Sequence, residues 1–346
     1  MSLYDRIADL SLTVESTDRT SRRRERADGT VRVTSTLVLL ADDAFGAGED
    51  VTFDVVDHEA LPDPLPFDLA GTYTLREFSA TLEDVDLFPT KPPERAISRR
   101  YRRWALESAA LDLALTQAET NLATVLDRER SPVRFVACAP TPDGDTARVE
   151  TIRSEAPATE FRLEPTPAWG ADTVETLAAT DAVRVLDVHG QDDEPGVDPD
   201  RYPALLEAFP DAILEDPETG NGRDEVLAAT PDRFSWDAPV ESAAALREQA
   251  PEVTWCVVTP SRLGTLEALF ELVDHCERAG IAMYGGGQAE LCVGRAHIQL
   301  LASLFYPTAP NDVAPRGYTD PALEALPPSP MSPPSDPVGL EWTDVW

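Results

Sequence analysis

Lysine is nearly absent from this chain of 346 residues: Lys91 is the single lysine among 29 basic residues. This scarcity excludes lysine as a proton-transfer group over almost the whole sequence. Long apolar runs are also missing, because no stretch reaches the roughly 18 apolar residues of a membrane-spanning helix. No basic-then-apolar leader opens the chain. We therefore expect a soluble, unexported, cytoplasmic protein.

Cysteine is scarce as well. The four cysteines show no C-x-x-C spacing of the kind that indicates a zinc site, and they are Cys138, Cys256, Cys276 and Cys292. Cys138 and Cys256 lie in apolar, strand-like runs. We predict buried, reduced thiols rather than disulfides, as is typical of a reducing cytosol.

Positive charge is the third shortage: 63 acidic residues face 29 basic ones, for a net charge of −34. A field of this sign repels nucleic acid and anionic membranes, so we exclude both as partners. An acidic, lysine-poor composition is typical of cytosolic proteins from salt-accumulating halophiles, where a Debye length of about 3 Å screens self-repulsion. A GC-rich coding bias toward arginine and acidic residues would produce the same composition.

The first third of the chain is predicted to combine strands with one long helical region. Residues 1–75 carry β-type patterns such as IADLSLTVES and RVTSTLVLLADD, and the polar stretch TDRTSRRRERADGT between them is predicted to be a loop. From Glu94 to about Leu126 the pattern becomes helical and is apolar on most faces. Such a pattern predicts a helix packed on two sides.

From residue 129 onward, short apolar runs alternate with amphipathic helical stretches, which is the pattern of a parallel barrel. Strands covered on both faces are expected to be apolar throughout. The eight predicted strands have the sequences VRFVACAP, EFRLEP, AVRVLDVHG, DAILEDPE, RFSWDAPV, VTWCVVTPS, GIAMYGGGQ and NDVAP. The proline-rich tail from Tyr318 is predicted to run over the surface, back toward the N-terminal part.

Acidic residues stand at the ends of four consecutive predicted strands: Glu164, Asp187, Glu215 and Asp237. Active sites of such barrels lie at the carboxyl ends of the strands, so the last three acids are expected to converge. Carboxylates this close need compensation, and a divalent cation that prefers oxygen, above all Mg²⁺, would supply it. The alternative is that each acid merely caps a strand-to-helix loop.

Seven fragments in the right order resemble the enolase superfamily, and within it the muconate-cycloisomerase and mandelate-racemase-like branch. They are TSTLVLLADDAFGAGED, WALESAALDLAL, VLDVHG, AILEDP, FSWDAPV, VVTPSRLGTLEA and MYGGGQAELCVGRAHIQLLASL. The resemblance implies an α/β fold with a modified TIM barrel, (β/α)7β, over residues 129–317. It also implies an N-terminal α+β capping domain over residues 1–128, completed by the tail 318–346.

The same resemblance implies a metal-dependent chemistry. Mg²⁺ would be held by Asp187, Glu215 and Asp237. The ion would stabilise the enolate that forms when a base removes the proton α to a carboxylate. A small anionic carboxylate substrate and a homo-oligomeric state are further implications of the resemblance.

The lysines that act as bases in this branch are replaced here. Where the family has K-x-K on the second strand, this chain has Arg162 and Glu164, and the lysine before P-S-R is Thr259. Threonine is too weak a base near neutral pH and arginine stays protonated, so both are predicted to contact the substrate. The candidate bases are a desolvated Glu164 and His189, which replaces the family's asparagine. A structural or metal-supporting role is the alternative for His189.

Further features are weaker candidates. Glu290 is predicted to polarise the substrate or to bond its neighbours, and His297 is predicted to be structural. In GGGQ, residues 285–288, the glycines either let backbone N–H groups approach a ligand or permit positive φ in a tight turn.

Two arginine clusters stand out in a chain with so few basic residues. The first lies in the predicted loop, where it would suit an anionic substrate or else pair with surface acids. It comprises Arg19, Arg22, Arg23, Arg24 and Arg26. The second is expected to pair with acids across the cap or a subunit interface, and it comprises Arg99, Arg100, Arg102 and Arg103.

Two functions of different class remain open at this point. The first is a Mg²⁺-dependent lyase or isomerase that uses a base other than lysine. The second is an enolase-like barrel that has lost proton transfer and binds a carboxylate metabolite or serves as a structural protein. The missing lysines favour the second function, whereas the acid triad and the GGGQ turn favour the first.

Overall fold

The structure, a computed structural model, describes residues 1–25, 30–190, 197–219, 229–249, 254–319, 323, 326–335 and 337–342. The strands in these ranges are β1 (Ser11–Val14), β2 (Ser16–Glu25), β3 (Val31–Leu40), β4 (Phe45–Asp50), β5 (Gly71–Thr74), β6 (Val136–Cys138), β7 (Glu160–Leu163), β8 (Val183–Asp187), β9 (Ile213–Glu215), β10 (Phe234–Trp236), β11 (Trp255–Val258) and β12 (Ala282–Gly285). The α-helices are α1 (Leu3–Ile7), α2 (Val55–Glu59), α3 (Leu75–Glu83), α4 (Ser98–Gln117), α5 (Leu122–Leu126), α6 (Ala147–Glu155), α7 (Ala171–Ala178), α8 (Tyr202–Ala208), α9 (Ala243–Gln249), α10 (Pro260–Leu263), α11 (Leu266–Ala279) and α12 (Val293–Phe305).

The N-terminal part contains an antiparallel sheet of β2, β3 and β4, and β1 pairs separately with β5. The loop predicted for the arginine-rich stretch is wrong over residues 17–25, because these residues lie in β2. Its pairing with β3 runs from Ser16 opposite Leu40 to Glu25 opposite Val31. The side chains of this edge strand are mostly exposed, so the sequence lacked the alternating apolar residues that indicate a strand.

Helix α4 packs directly against β4 of this sheet. A Cβ atom on Gly46 would overlap the backbone of Ala109, and one on Gly48 would overlap the backbone of Ala105. The two glycines therefore let the helix approach the strand closely. As its pattern predicted, the helix is buried on most of its faces.

Seven parallel strands, β6 to β12 in chain order, form one curled sheet. The segment predicted to be an eighth strand bridges its two edges. Asn311 O accepts the N–H of Val136 at 2.8 Å, and the N–H of Asp312 donates to Gly285 O at 2.9 Å. The architecture is therefore α/β, with a parallel sheet beside an N-terminal antiparallel sheet. The apolar strands of the parallel sheet are buried, as is expected of strands that are covered on both faces.

The C-terminal tail contacts the region around α4 and α5. The N–H of Gly339 donates to Thr120 O at 2.9 Å, and the N–H of Leu340 donates to Asp112 Oδ1 at 2.8 Å. Trp342 is buried there. Among the helices that the structure describes, none combines the length and apolar character that crossing a membrane would require.

Candidate functional site

Three predicted metal ligands lie at the carboxyl ends of neighbouring strands. Asp187 ends β8 and Glu215 ends β9, where the two are direct partners in the sheet, and Asp237 follows β10. Only 4 % of Asp187 and 2 % of Glu215 is exposed. We call these three acids and Glu164, which follows β7, the carboxylate rim. Parallel register places the strand ends on one side of the sheet.

The side chain of Arg162, from β7, lies across the carboxylate rim. Its Nη2 donates to Asp187 Oδ2 and, at 2.8 Å, to Glu215 Oε1. Its Nη1 donates to Glu164 Oε1 at 3.0 Å, and Asp312 Oδ2 lies 3.9 Å from Nε. One largely buried guanidinium therefore contacts acids at the ends of β7, β8 and β9 and in the bridging segment.

Asp237 is bound by a second arginine. Arg262 donates from Nη1 to Asp237 Oδ1 and from Nη2 to Oδ2 at 3.0 Å, and the Thr259 hydroxyl donates to Oδ1 at 2.9 Å. Burial alone would raise the pKa of Asp237, but Arg262 and Thr259 hold it below its usual value. The N–H of Asp237 donates to the buried carboxyl of Asp216 at 2.7 Å. The structure thus places Thr259 against a predicted metal ligand.

Within the described ranges, Glu164, Asp187 and His189 form one group that could hold a metal ion. Each offers one ligand atom, and these atoms lie within 4.8 Å of one another. His189 Nε2 lies 3.8 Å from Glu164 Oε2 and 3.5 Å from Asp187 Oδ2. The backbone of His189 has a φ of 51°, and its N–H donates to Asp187 Oδ1 at 3.0 Å. A positive φ is strained for a residue that has a Cβ atom, and it persists only where the surrounding structure holds the backbone in place.

Buried negative charge at Asp187 and at the nearby Asp312 and Asp216 exceeds the positive charge that reaches these three acids. Burial raises the pKa of Asp187 to about 7 against the opposing pull of Arg162, and neighbouring Glu215 raises it further. Burial likewise raises the pKa of Asp312 to about 6. It also raises the pKa of Asp216 well above its usual range.

Glu164 has the opposite shift. The His189 imidazole, 3.8 Å from Oε2, and the charge of Arg162 lower the pKa of Glu164 to about 2, although burial opposes them. Glu164 is therefore ionised at neutral pH and is a weak proton acceptor. This low pKa argues against Glu164 as the base.

These residues fit a divalent cation. The pKa of Asp187 stays high while Arg162 donates to it, so the arginine does not offset the buried carboxylates around it. A double positive charge would lower the pKa values of the buried acids, and carboxylate oxygen is the ligand that Mg²⁺ prefers. An imidazole nitrogen from His189 would instead favour a transition metal such as Mn²⁺ or Zn²⁺.

Three side chains that hold the carboxylate rim were not among the predicted site residues: Arg262, Tyr284 and Asp216. Tyr284 is buried in β12 and donates its hydroxyl to Glu215 Oε2. A tyrosine inside an apolar strand was the available signal, because its hydroxyl needs a buried partner. For Arg262, the signal was an arginine just beyond the end of β11, whose neighbour β10 is followed by Asp237.

Glu290 and His297 have other contacts. Glu290 Oε1 accepts the N–H of Gln288 at 2.8 Å, and within the described ranges Oε2 has no hydrogen-bond partner. His297 is buried in α12, where burial lowers its pKa to about 4, as suits a structural histidine.

The glycine run 285–287 does not supply positive φ, since the positive-φ glycines of the described ranges lie elsewhere. That alternative for the tight turn is wrong. A Cβ on Gly286 would come within 2.6 Å of Val257 Cγ1 and 2.8 Å of Thr259 Oγ1. The missing side chain therefore lets the chain after β12 pack against β11. Approach of its backbone to a ligand stays a prediction.

The arginines of β2 bind mainly carbonyl oxygens. Arg19 donates to His58 O at 3.0 Å, Arg22 to Leu291 O at 3.3 Å, and Arg24 to the backbone of Thr319 at 3.1 Å. Arg26 lies outside the described residues. The second cluster pairs with acids as expected, in the pairs Arg99–Asp86 (3.7 Å), Arg100–Glu241 (2.9 Å), Arg102–Asp50 (2.8 Å) and Arg103–Glu107 (3.3 Å).

Several solved structures resemble this one along most of their length. The muconate lactonizing enzyme from Pseudomonas putida has a TM-score of 0.64 at 16 % identity, covering 87 % of this chain and 88 % of that one. A dipeptide epimerase from Enterococcus faecalis V583 has a TM-score of 0.68 at 13 % identity, covering 87 % and 90 %. A protein described as an unknown member of the enolase superfamily, from the same organism, has 0.61 at 14 %, covering 87 % and 84 %. At these identities the likeness shows an enolase-like fold.

None of the curated proteins matches this chain by sequence. Two family models match it, one for each part of the fold. The "Domain of unknown function (DUF8230) N-terminal domain" matches residues 5–125, and the corresponding C-terminal domain matches residues 129–320. Together they span all three sheets of the described residues and every residue of the carboxylate rim, and the chain therefore belongs to the DUF8230 family.

Proposed function

We propose that this chain is a divalent-cation-dependent enzyme of the isomerase or lyase type. It would remove the proton α to the carboxylate of a small anionic acid. The observation that carries the proposal is the carboxylate rim of an enolase-like fold, where Asp187 has a pKa of about 7 although an arginine donates to it. A muconate lactonizing enzyme and a dipeptide epimerase share this fold, which supports the reaction class.

The proposed ion is Mg²⁺, with Asp187 as a ligand in either of two sets. The set that the sequence predicts adds Glu215 and Asp237. The alternative adds Glu164 and His189, whose ligand atoms lie within 4.8 Å of those of Asp187. When bound, the ion supplies positive charge that stabilises an enolate. The alternative set would shift the preference from Mg²⁺ toward Mn²⁺ because it includes imidazole.

With the first ligand set, in which His189 does not bind the ion, His189 is the proposed proton acceptor. Its side chain is 34 % exposed, which leaves it accessible to a substrate at the end of the sheet. Glu164, with its low pKa, stabilises the imidazolium that forms and orients the ring. This division of roles resembles other imidazole–carboxylate pairs, in which the carboxylate itself does not take the proton.

The predicted substrate contacts have different roles in this proposal. Thr259 orients Asp237 through its hydroxyl. Glu290 holds the segment after β12 through the N–H of Gln288. Arg162 stays a candidate for binding the substrate carboxylate, because 12 % of its side chain is exposed beside the rim and its fork can bind an acid with two hydrogen bonds.

Isothermal titration calorimetry with Mg²⁺ and with Mn²⁺ in molar KCl tests the ion. The wild-type chain should bind, and Asp187→Asn should lose binding of both ions. Asp237→Asn weakens both if the first ligand set is correct. His189→Ala weakens Mn²⁺ more than Mg²⁺ if the second is correct. Failure of the wild-type chain to bind any divalent ion would contradict the proposal.

Exchange of the α-hydrogen of small chiral carboxylic acids with D₂O, followed by NMR, tests the base. His189→Ala should abolish exchange. Glu164→Gln should slow it and lower the apparent pKa of the activity, because the imidazolium loses its carboxylate partner. Exchange that persists at the wild-type rate in His189→Ala rules out this base.

A protein that binds a carboxylate without proton transfer is the second candidate. The ion pairs of Arg162 and Arg262 with the carboxylate rim favour it, because they occupy acids that an enzyme would use for metal. Carboxylate binding without any divalent ion and without deuterium exchange would select this function.

We also propose that the chain functions at high salt. The net charge of −34, with one lysine in the chain, supports this environment. Self-repulsion of this size is screened only at high ionic strength.

A further inference from the structure

We infer that the guanidinium of Arg162 and the divalent cation exclude each other, so that this arginine is a built-in competitor for the ion. The inference rests on the proposed function and concerns the same site. Its basis is that a single nitrogen, Nη2, donates to Glu215 Oε1 at 2.8 Å and also to Asp187 Oδ2.

A shared ion would compete with this nitrogen for the same two oxygens. Mg²⁺ bound by both would lie about 2.1 Å from each. On the side of the oxygens that Nη2 occupies, such an ion would overlap the nitrogen, and on any other side it would lie next to the guanidinium charge, which repels it. Binding of the ion by Asp187 and Glu215 is therefore opposed by Arg162 in this position.

Glu164 offers the displaced arginine another partner. Arg162 Nη1 already donates to Glu164 Oε1 at 3.0 Å, and the Glu164 side chain is 42 % exposed. Rotation of the guanidinium toward solvent keeps this pair while it breaks the contacts with the two buried acids.

Contacts within the sheet hold Glu215 in position for the ion to replace Arg162. Its other oxygen, Oε2, accepts the hydroxyl of Tyr284, which is itself 2.7 Å from Ser235 Oγ. The carboxylate is thus held in place from within the sheet, and Oε1 keeps its direction when Arg162 leaves. Asp187 is held similarly, because Oδ1 accepts the N–H of His189 at 3.0 Å.

Arg184 provides a matched control on the same sheet. It lies on β8, as Asp187 does, and its Nε is 2.7 Å from Glu160 Oε1 at the start of β7. Arg184→Met removes the same charge from the same acidic chain as Arg162→Met. Arg184→Met does not change the residues that contact the carboxylate rim. It therefore shows how the loss of one positive charge, by itself, changes the affinity for Mg²⁺.

Calorimetric titration with Mg²⁺ in molar KCl compares the wild type, Arg162→Met and Arg184→Met. We expect Arg162→Met to bind at least about tenfold more tightly than the wild type, which corresponds to one lost competing contact. Arg184→Met should match the wild type. Arg162→Lys should fall between the wild type and Arg162→Met, because one ammonium cannot reach all the oxygens that the fork serves.

The outcomes separate this inference from the proposed function. Equal affinity of the wild type and Arg162→Met overturns the inference and leaves the function standing. Binding by Arg162→Met alone supports the inference and overturns the function, since the arginine then replaces the ion permanently. If no variant binds, both are overturned.

Thermal unfolding keeps the inference testable if Arg162→Met is unstable. Mg²⁺ should then raise its Tm, followed by circular dichroism, by more than it raises that of the wild type or of Arg184→Met. A Tm of Arg162→Met that does not respond to Mg²⁺ overturns the inference.

Discussion

Two buried arginines of this molecule, Arg102 on α4 and Arg162 on β7, bind carboxylates in contrasting ways. Arg102 donates from Nε to Asp50 at 2.8 Å, and its other nitrogens donate to the carbonyl oxygens of Leu87 and Asp57. One charge thus meets one carboxylate, and neutral acceptors satisfy the remaining donors. Arg162 instead divides its donors among acids of three neighbouring strands.

The pKa values record this difference. Burial raises the pKa of Asp50, yet Arg102, together with His58 and Thr52, more than compensates, and the net shift is downward. At Asp187 in the carboxylate rim burial prevails, and the pKa of this acid rises to about 7 despite Arg162. In a buried pair of one acid and one cation the two charges offset each other. A group of buried acids that outnumbers its cations keeps a net negative charge and therefore an affinity for another positive charge.

Breaking the matched pair should have the largest effect. Arg102→Met leaves Asp50 buried without a cation, and we expect a loss of about 3–5 kcal/mol in the free energy of unfolding. Urea denaturation in molar KCl measures it. Mg²⁺ should not restore the loss, in contrast to Arg162→Met. A loss below about 1 kcal/mol would show that the pair contributes little.

Removing one neutral donor from the carboxylate rim should have a smaller effect. Tyr284→Phe deprives Glu215 of a buried hydrogen bond, and we expect a loss of about 1–3 kcal/mol in stability. Tyr73→Phe is the matched control, because its hydroxyl bonds Ala70 O in an exposed position, and it should change stability by less than about 0.5 kcal/mol. Equal effects of the two variants would contradict the importance of the buried contact.

Salt sharpens the comparison between buried and exposed charge. Raising KCl from millimolar to molar concentrations should stabilise the wild type by on the order of 1–2 kcal/mol, because it screens the repulsion among exposed acids. The difference between wild type and Arg102→Met should stay the same, since a buried pair is hardly screened. Denaturation series at several KCl concentrations measure both quantities. Destabilisation of the wild type by KCl would contradict the halophilic interpretation.

The smallest effect concerns Asp112, a buried acid on α4 that is held by backbone N–H groups. Burial raises the pKa of Asp112 to about 6, although it accepts the N–H groups of Leu340 and Ala47. The folded state therefore holds a proton that the unfolded state loses first. Its contribution to stability is full below the ordinary carboxyl pKa and is lost as the pH rises through about 6.

Asp112→Asn should flatten this dependence. The stability of the variant relative to wild type should increase by on the order of 1 kcal/mol between pH 4 and pH 6. Urea denaturation across this range measures the difference. Parallel stability curves for the two proteins would show that Asp112 does not titrate in the folded state as described.

Most of the parallel sheet could be predicted from the sequence. Strands buried on both faces must be apolar along their length, so seven of the eight predicted runs coincide with β6 to β12. The eighth run makes only a short bridge. Strand β2 escaped prediction because it is an exposed edge, where ladder hydrogen bonds form whatever the side chains are.

The sequence by itself determined that acids end the strands from β7 to β10, that lysine is missing from this set, and that the chain is strongly acidic. Only the tertiary structure decided that Arg162 bridges Asp187 and Glu215, and that a different arginine, Arg262, binds Asp237. The reason is that charge interactions depend on distances of a few ångströms and on burial. Both are set by how strands from distant parts of the chain align.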